Sequence, residues 1–123
     1  MDHLTPEVTA TIGQLYPGYI ATVREDGWPT VAPKGSLKVL DETHVYFADV
    51  HSPQTVANIK RDPRVCVVFV QPRPAQGYRI YGRAEILSSG DLFDKVHAEY
   101  AQRKLTVNHV VKIAIEQVAP LMR

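Results

Sequence analysis

A chain of 123 residues, 45% hydrophobic and 22% charged, suits one ordinary globular domain, expected to span 1–123, and leaves little room for a second. With 14 Lys and Arg against 13 Asp and Glu the formal charge is +1, without the basic excess of a dedicated nucleic-acid binder. A lone cysteine, Cys66, excludes an intramolecular disulfide; with no apolar run near the ~20 residues of a membrane helix and no leader-like N-terminus, a soluble, cytoplasmic protein is expected.

Thr5 followed by Pro6 reads as a helix cap and first-turn proline, with Val8, Ile12 and Leu15 on one face. Tyr16-Pro17-Gly18 ends that helix. Alternation from Tyr19 to Arg24 predicts a strand, and Asp26-Gly27 is a hairpin signal. A second extended run covers Pro29 to Leu40, interrupted by Pro33 and Gly35. Asp41-Glu42-Thr43 turns the chain into a third strand, His44 to Asp49. Ser52-Pro53 then opens a short helix with Val56 and Ile59 inward, stopped by Asp62-Pro63.

Five of the six residues from Val65 to Val70 are Val or Phe, which favours a buried strand over a helix. Gln71 to Gly77 reads as a proline-rich loop. Tyr78 to Ile86 alternates as a long amphipathic strand. Gly90 to Leu105 is the clearest helix, with Leu92, Phe93, Val96 and Tyr100 as its stripe. Val111, Ile113 and Ile115 mark a closing strand. Strands outnumber crossovers, so the expected fold is mainly β: a six-stranded antiparallel barrel with flanking helices. A barrel that small is filled by its own side chains, which places any ligand outside, in a groove or at an interface.

Two local features bear on chemistry. The strand-to-helix junction Asp49–Asn58 presents a helix N-terminus, with Ser52, Gln54 and Thr55 as polar donors suited to an anion; simple capping by Ser52 is the plainer reading. The segment Pro33-Lys34-Gly35-Ser36-Leu37-Lys38 breaks a strand and leaves backbone groups for the polar edge of a flat heterocycle; a bulge with solvated lysines is the plainer reading there. Together, within a short span, they suggest a phosphorylated planar cofactor. Cys66 reads as a core residue, and Trp28 as core or dimer packing. Arg79, Tyr81 and Arg83 read as a polar face at an interface or in water. The histidines, His3, His44, His51, His97 and His109, show no metal-ligand spacing, and no acid–base dyad is visible.

The order Gly18-Tyr19-Ile20-Ala21-Thr22, Asp26-Gly27, Pro29-Thr30-Val31-Ala32-Pro33, Leu37-Lys38-Val39-Leu40-Asp41 and Val45-Tyr46-Phe47 resembles the pyridoxamine 5'-phosphate oxidase-like FMN-binding split barrels. Ala57-Asn58-Ile59, Arg61-Asp62-Pro63-Arg64-Val65 and Gly82-Arg83-Ala84-Glu85-Ile86 continue the likeness over nearly the whole chain. It extends to the very short FMN-binding proteins of anaerobic bacteria. The resemblance implies a six-stranded split barrel and a homodimer with FMN at the subunit interface. It maps ring contacts to Lys34, Gly35, Ser36, Leu37, Ala48 and Asp49. Phosphate contacts map to Ser52, Gln54 and Thr55, and a contribution from the partner subunit to Gln76. Amides of the Gly35–Leu37 region would stabilise the reduced ring.

The chain departs from that pattern at Pro53-Gln54, where relatives commonly place Arg or Lys; Lys34, Lys60 or Arg61 are the candidates to compensate. The resemblance leads one to expect no C-terminal extension of the kind with which the true oxidase grips pyridoxamine phosphate, so that enzyme is not the expected identity. The implied activity is a flavin-dependent oxidoreductase acting with a small-molecule or protein redox partner. The alternatives are a non-catalytic flavin or heme electron carrier, a deazaflavin-dependent reductase, or a structural dimer with a vestigial site.

Overall fold

The computed structural model describes residues 2–121. Helix α1 runs Pro6–Ile12, and Thr5 caps it by accepting the Val8 amide at 3.2 Å. Strands β1 (Gly18–Val23) and β2 (Pro29–Lys34) form the expected hairpin, with Gly27 at a φ of 89° in its turn. Next come β3 (Lys38–Asp41), β4 (His44–Asp49), α2 (Pro53–Arg61), β5 (Arg64–Pro72), β6 (Ala75–Leu87), α3 (Asp91–Ala101) and β7 (His109–Pro120).

Among the described residues the strand count is seven, not six. The expected single run Pro29–Leu40 is cut where the Leu37 amide closes a turn onto the Lys34 carbonyl at 3.2 Å. Other boundaries also moved. The expected loop Gln71–Gly77 is mostly ladder, Gln71 pairing with Gln76 and Pro72 with Ala75. The expected helix to Leu105 stops at Ala101, and β7 extends well beyond Val111–Ile115 at both ends.

All neighbouring strands are antiparallel, in the order β2-β1-β5-β6-β7-β4-β3. The two edge strands are consecutive in the chain. Four residue steps from Lys34 to Lys38 reach at most ~14 Å, whereas the edges of a flat seven-stranded ladder would lie ~29 Å apart. The sheet must therefore curl into a barrel that stays unpaired between β2 and β3. At the bulge beside Tyr81, a Cβ on Gly82 would lie 2.3 Å from the Ala114 carbonyl oxygen, so the close β6–β7 approach admits only glycine there.

Alternation in β4 explains how two cores share one strand. Val45 and Phe47 point into the barrel with Ile20, Val67, Phe69, Ile80, Val111, Ile113 and Val118, plugged by Leu4, Val8, Ile12 and Leu15 around α1. Tyr46 and Ala48 point outward under α3, where Val96, Val107 and Val110 bury with them. Asn58, fully buried on α2, locks that helix to the barrel. Its Nδ2 donates to Thr22 Oγ1 of β1 at 3.0 Å, while its Oδ1 accepts from Gln54 and Arg61, each at 3.0 Å.

Candidate functional site

The split between β2 and β3 opens beside the end of β4, the N-terminus of α2 and the start of β7. Asp49, the last residue of β4, is only 3% exposed, and every one of its oxygens is engaged. Oδ1 accepts the Ser52 amide at 2.8 Å, Oδ2 lies 2.7 Å from His109 Nδ1, and the carbonyl accepts the Asn108 amide at 2.8 Å. Asn108 Nδ2 also donates to the Val50 carbonyl at 2.9 Å, so the β7 entry is tied to the β4 exit at several points. Ser52 occupies the cap position of α2, yet its side chain caps nothing; Lys34 Nζ, from the end of β2, donates to Ser52 Oγ at 2.6 Å. Lys34 also lies over the Phe47 ring, 5.5 Å from its centroid. Burial holds the Lys34 ammonium below the ordinary lysine range, and the Asp49 charge acts in the opposite sense.

These groups form a continuous chain, Lys34–Ser52–Asp49–His109, drawn from three strands and one helix. Beside it is a cleft of about 570 Å³ lined by Asp49, His51, Ser52, Pro53, Val56, Ala57, Lys60, Asn108 and His109. Small-molecule sites commonly run roughly 300–1,000 Å³. Among the described residues no group of three or more His, Cys, Asp or Glu is placed to hold a metal ion.

The expected site residues divide. Lys34, Asp49 and Ser52 converge as described. Ser36 completes the split by mimicking a strand: its Oγ accepts the Ala48 amide at 3.0 Å and donates to the Ala48 carbonyl at 3.2 Å. Both backbone groups of Ala48 thereby meet Ser36. Leu37 turns its side chain into the barrel core and uses its amide to close the turn, so that amide is not offered to a ligand. Gly35 packs against Tyr16; a Cβ there would lie 2.7 Å from the phenol oxygen.

Gln54 faces away from the first cleft, into a second one of about 530 Å³ with Arg24, Glu25, Asp26 and Thr30. Thr55 is buried at 8% exposure and lines neither cleft. Gln76 lines a separate cavity with Glu7, Thr11 and Tyr78, so a single subunit does not bring it to the Asp49 cleft. Of the proposed compensating cations, Lys60 lines that cleft and Lys34 adjoins it. Arg61 does not serve there: its guanidinium is held by Asn58 and by the Val23 carbonyl at 2.8 Å.

Nothing in the sequence paired a carboxylate with a histidine; the fold sets Asp49 against His109, 60 residues apart. Sequence reasoning also missed Asn108 and the buried anchor Asn58. No local pattern marks a pair separated by that much chain. A polar residue on the inward face of α2, beside Val56 and Ile59, was the one visible trace of Asn58. Trp28 is 68% exposed and so is not a core residue. Cys66 is half-buried, and burial pushes its thiol above the ordinary range.

An antiparallel barrel left open along one seam, with polar side chains gathered beside the opening, defines the chain as a split-barrel protein. It belongs to the pyridoxamine 5'-phosphate oxidase family, whose model matches residues 4–121. HupZ of Group A Streptococcus is 26% identical, with 96% of this chain and 94% of that one covered at a TM-score of 0.88. A provisionally assigned pyridoxamine 5'-phosphate oxidase from Lactobacillus delbrueckii is 31% identical, covering 97% and 95%, with a TM-score of 0.83. An FMN-binding protein from Syntrophomonas wolfei shares the fold at 16% identity, covering 94% of this chain and 84% of that one, with a TM-score of 0.82. No functionally curated protein matches the chain. No helix among the described residues is long and apolar enough to cross a membrane.

Proposed function

We propose that this protein is an FMN-binding flavoprotein that works as a homodimeric oxidoreductase, with the cofactor seated at the subunit seam beside the barrel split. The observation that carries the reading is the convergence of Lys34, Ser52 and the α2 N-terminus on the split of a family barrel. The residues fit such a group: a half-buried ammonium and a helix N-terminus favour a phosphate, and the interrupted β2 edge suits a flat ring. Bound flavin would supply the electron chemistry, while the protein binds and orients it.

A homodimer is favoured by the outer face of β2-β1-β5-β6. Register places Val31, Ala21, Cys66 and Tyr81 in one row across four strands, and Pro33, Tyr19, Val68 and Arg79 in the next. Val31 is 64% exposed and Tyr81 41%, so the two ends of this apolar row lie open on an isolated subunit. A second copy related by a two-fold axis would cover it.

The freshly purified protein should be yellow, bleach on reduction and sediment as a dimer. A colourless protein that takes up no FMN on titration would sink the flavin reading. Parallel titration with a deazaflavin separates the two ring systems, and a stoichiometric Soret band on adding heme would favour the electron-carrier alternative. Release of product under NADH or NADPH then distinguishes an enzyme from a carrier.

A further inference from the structure

We propose that His109 is the proton acceptor of the Asp49 cleft, held in register by Asp49 as its positioning residue, and that the cleft takes a small molecule presenting an ionisable N–H or O–H to His109 Nε2. The inference stands on the cleft's geometry and does not depend on which cofactor the protein binds.

A carboxylate has only acceptor oxygens, so the 2.7 Å contact between Asp49 Oδ2 and His109 Nδ1 requires the proton on Nδ1. In the neutral ring that fixes the tautomer and leaves the Nε2 lone pair free. His109 lines the cleft, and Nε2 has no partner among the described residues. Asp49 cannot turn away: its other oxygen is pinned by the Ser52 amide at 2.8 Å, and Asn108, next to His109, is bonded to its carbonyl at 2.8 Å. The titratable neighbours are Lys60 and His51, which line the cleft, and Lys34, which reaches Asp49 through Ser52.

In the transfer, the ligand's N–H or O–H bond breaks, Nε2–H forms, and the bonding pair stays on the ligand heteroatom. The imidazolium so formed lies against the Asp49 carboxylate, which offsets its charge. An unpaired surface imidazole lacks both the fixed tautomer and the buried counter-charge.

Asp49→Asn supplies the test, because the Ser52 amide dictates how the amide group must sit. The Asn oxygen stays on Ser52 N, so its NH₂ faces His109 Nδ1. His109 must then accept at Nδ1 and carry its proton on Nε2. Histidine ¹⁵N–¹H correlation spectra of the full chain under mildly alkaline conditions should show His109 protonated at Nδ1 in the wild type and at Nε2 in Asp49→Asn. Acylation by diethyl pyrocarbonate uses the same lone pair. Peptide mapping should find His109 acylated in the wild type and strongly protected in Asp49→Asn, with His51 reacting alike in both. A wild-type His109 already protonated at Nε2 overturns the proposal, and that measurement stands even where Asp49→Asn fails to fold. Equal acylation of His109 in the two proteins overturns it as well.

Discussion

Replacing Asn58 with Ala tests whether α2, and with it the Ser52 end of the site, is held by one buried amide. Three hydrogen bonds are lost, but their partners are not equivalent. Gln54 and Arg61 are exposed, so their freed donors turn to water at little cost. Thr22 is 3% exposed, and losing Asn58 Nδ2 leaves its hydroxyl without that partner inside the barrel wall. An unsatisfied buried group costs about 1–3 kcal/mol, and the vacated amide volume adds roughly 1 kcal/mol more. The expected loss is therefore about 2–4 kcal/mol, read as a urea midpoint shift at unchanged slope. The melting temperature should fall by roughly 3–6 °C for each kcal/mol in a chain of this size. The double variant Thr22→Val with Asn58→Leu removes both polar partners and should recover most of the loss, since deleting a pair together leaves nothing unsatisfied. Loss below about 1 kcal/mol in Asn58→Ala, or a double variant as weak as the single one, would refute the reasoning.

Lys60→Met removes a cation that lines the Asp49 cleft and should weaken FMN by about 2–30-fold, because a charge-assisted contact contributes roughly 0.5–2 kcal/mol more than a neutral one; riboflavin, which lacks the phosphate, should show no loss in the same fluorescence titration. Lys34 is held below its ordinary value by burial, so the unfolded chain binds more protons as pH approaches 10.5 from below, and this residue's contribution to stability rises with pH through that window. Denaturation curves of Lys34→Met should lack that rise relative to the wild type; identical pH slopes would count against the burial of Lys34. The Tyr46 and Cys66 shifts, both raised by burial, act in the opposite direction and cancel in the comparison. Val31→Asp, at the β2 end of the apolar row and its most exposed member, should leave thermal unfolding of the subunit recognisable but yield monomers in sedimentation; an intact dimer would move the interface elsewhere.

Thr55→Glu, a natural test of the phosphate site from sequence, is uninformative in this structure. Thr55 is 8% exposed, so a carboxylate there would disrupt the packing of α2 whether or not a phosphate lies nearby. Ser52 and Lys60, which line the Asp49 cleft, are the positions where a substitution reports on binding.

Elements with strong local chemistry were legible in the sequence. The Thr5-Pro6 start of α1, the Asp26-Gly27 hairpin, the Val-rich β5 and the alternating β6 each follow from propensity and periodicity that act over a few residues. The break in Pro29–Leu40 was visible as Pro33 and Gly35, but whether the run bends or ends depends on Ser36 reaching across to Ala48, a contact 12 residues away. Of the site, Lys34, Asp49 and Ser52 were named from the sequence, because a broken strand and a helix start announce themselves locally. Their partners in the network were not.

What the sequence by itself determined is the class: a mainly β chain whose strand order and turn chemistry match one barrel family over nearly its full length. What only the tertiary structure decided is which polar groups meet. Antiparallel pairing sets the end of β4 against the start of β7, and only then does Asp49 acquire His109, Asn108 and a buried environment in which a fixed imidazole matters. Hydrogen bonds of this kind are set by the register between neighbouring strands that lie far apart in the chain. Periodicity along one strand carries no record of the strand that will lie beside it.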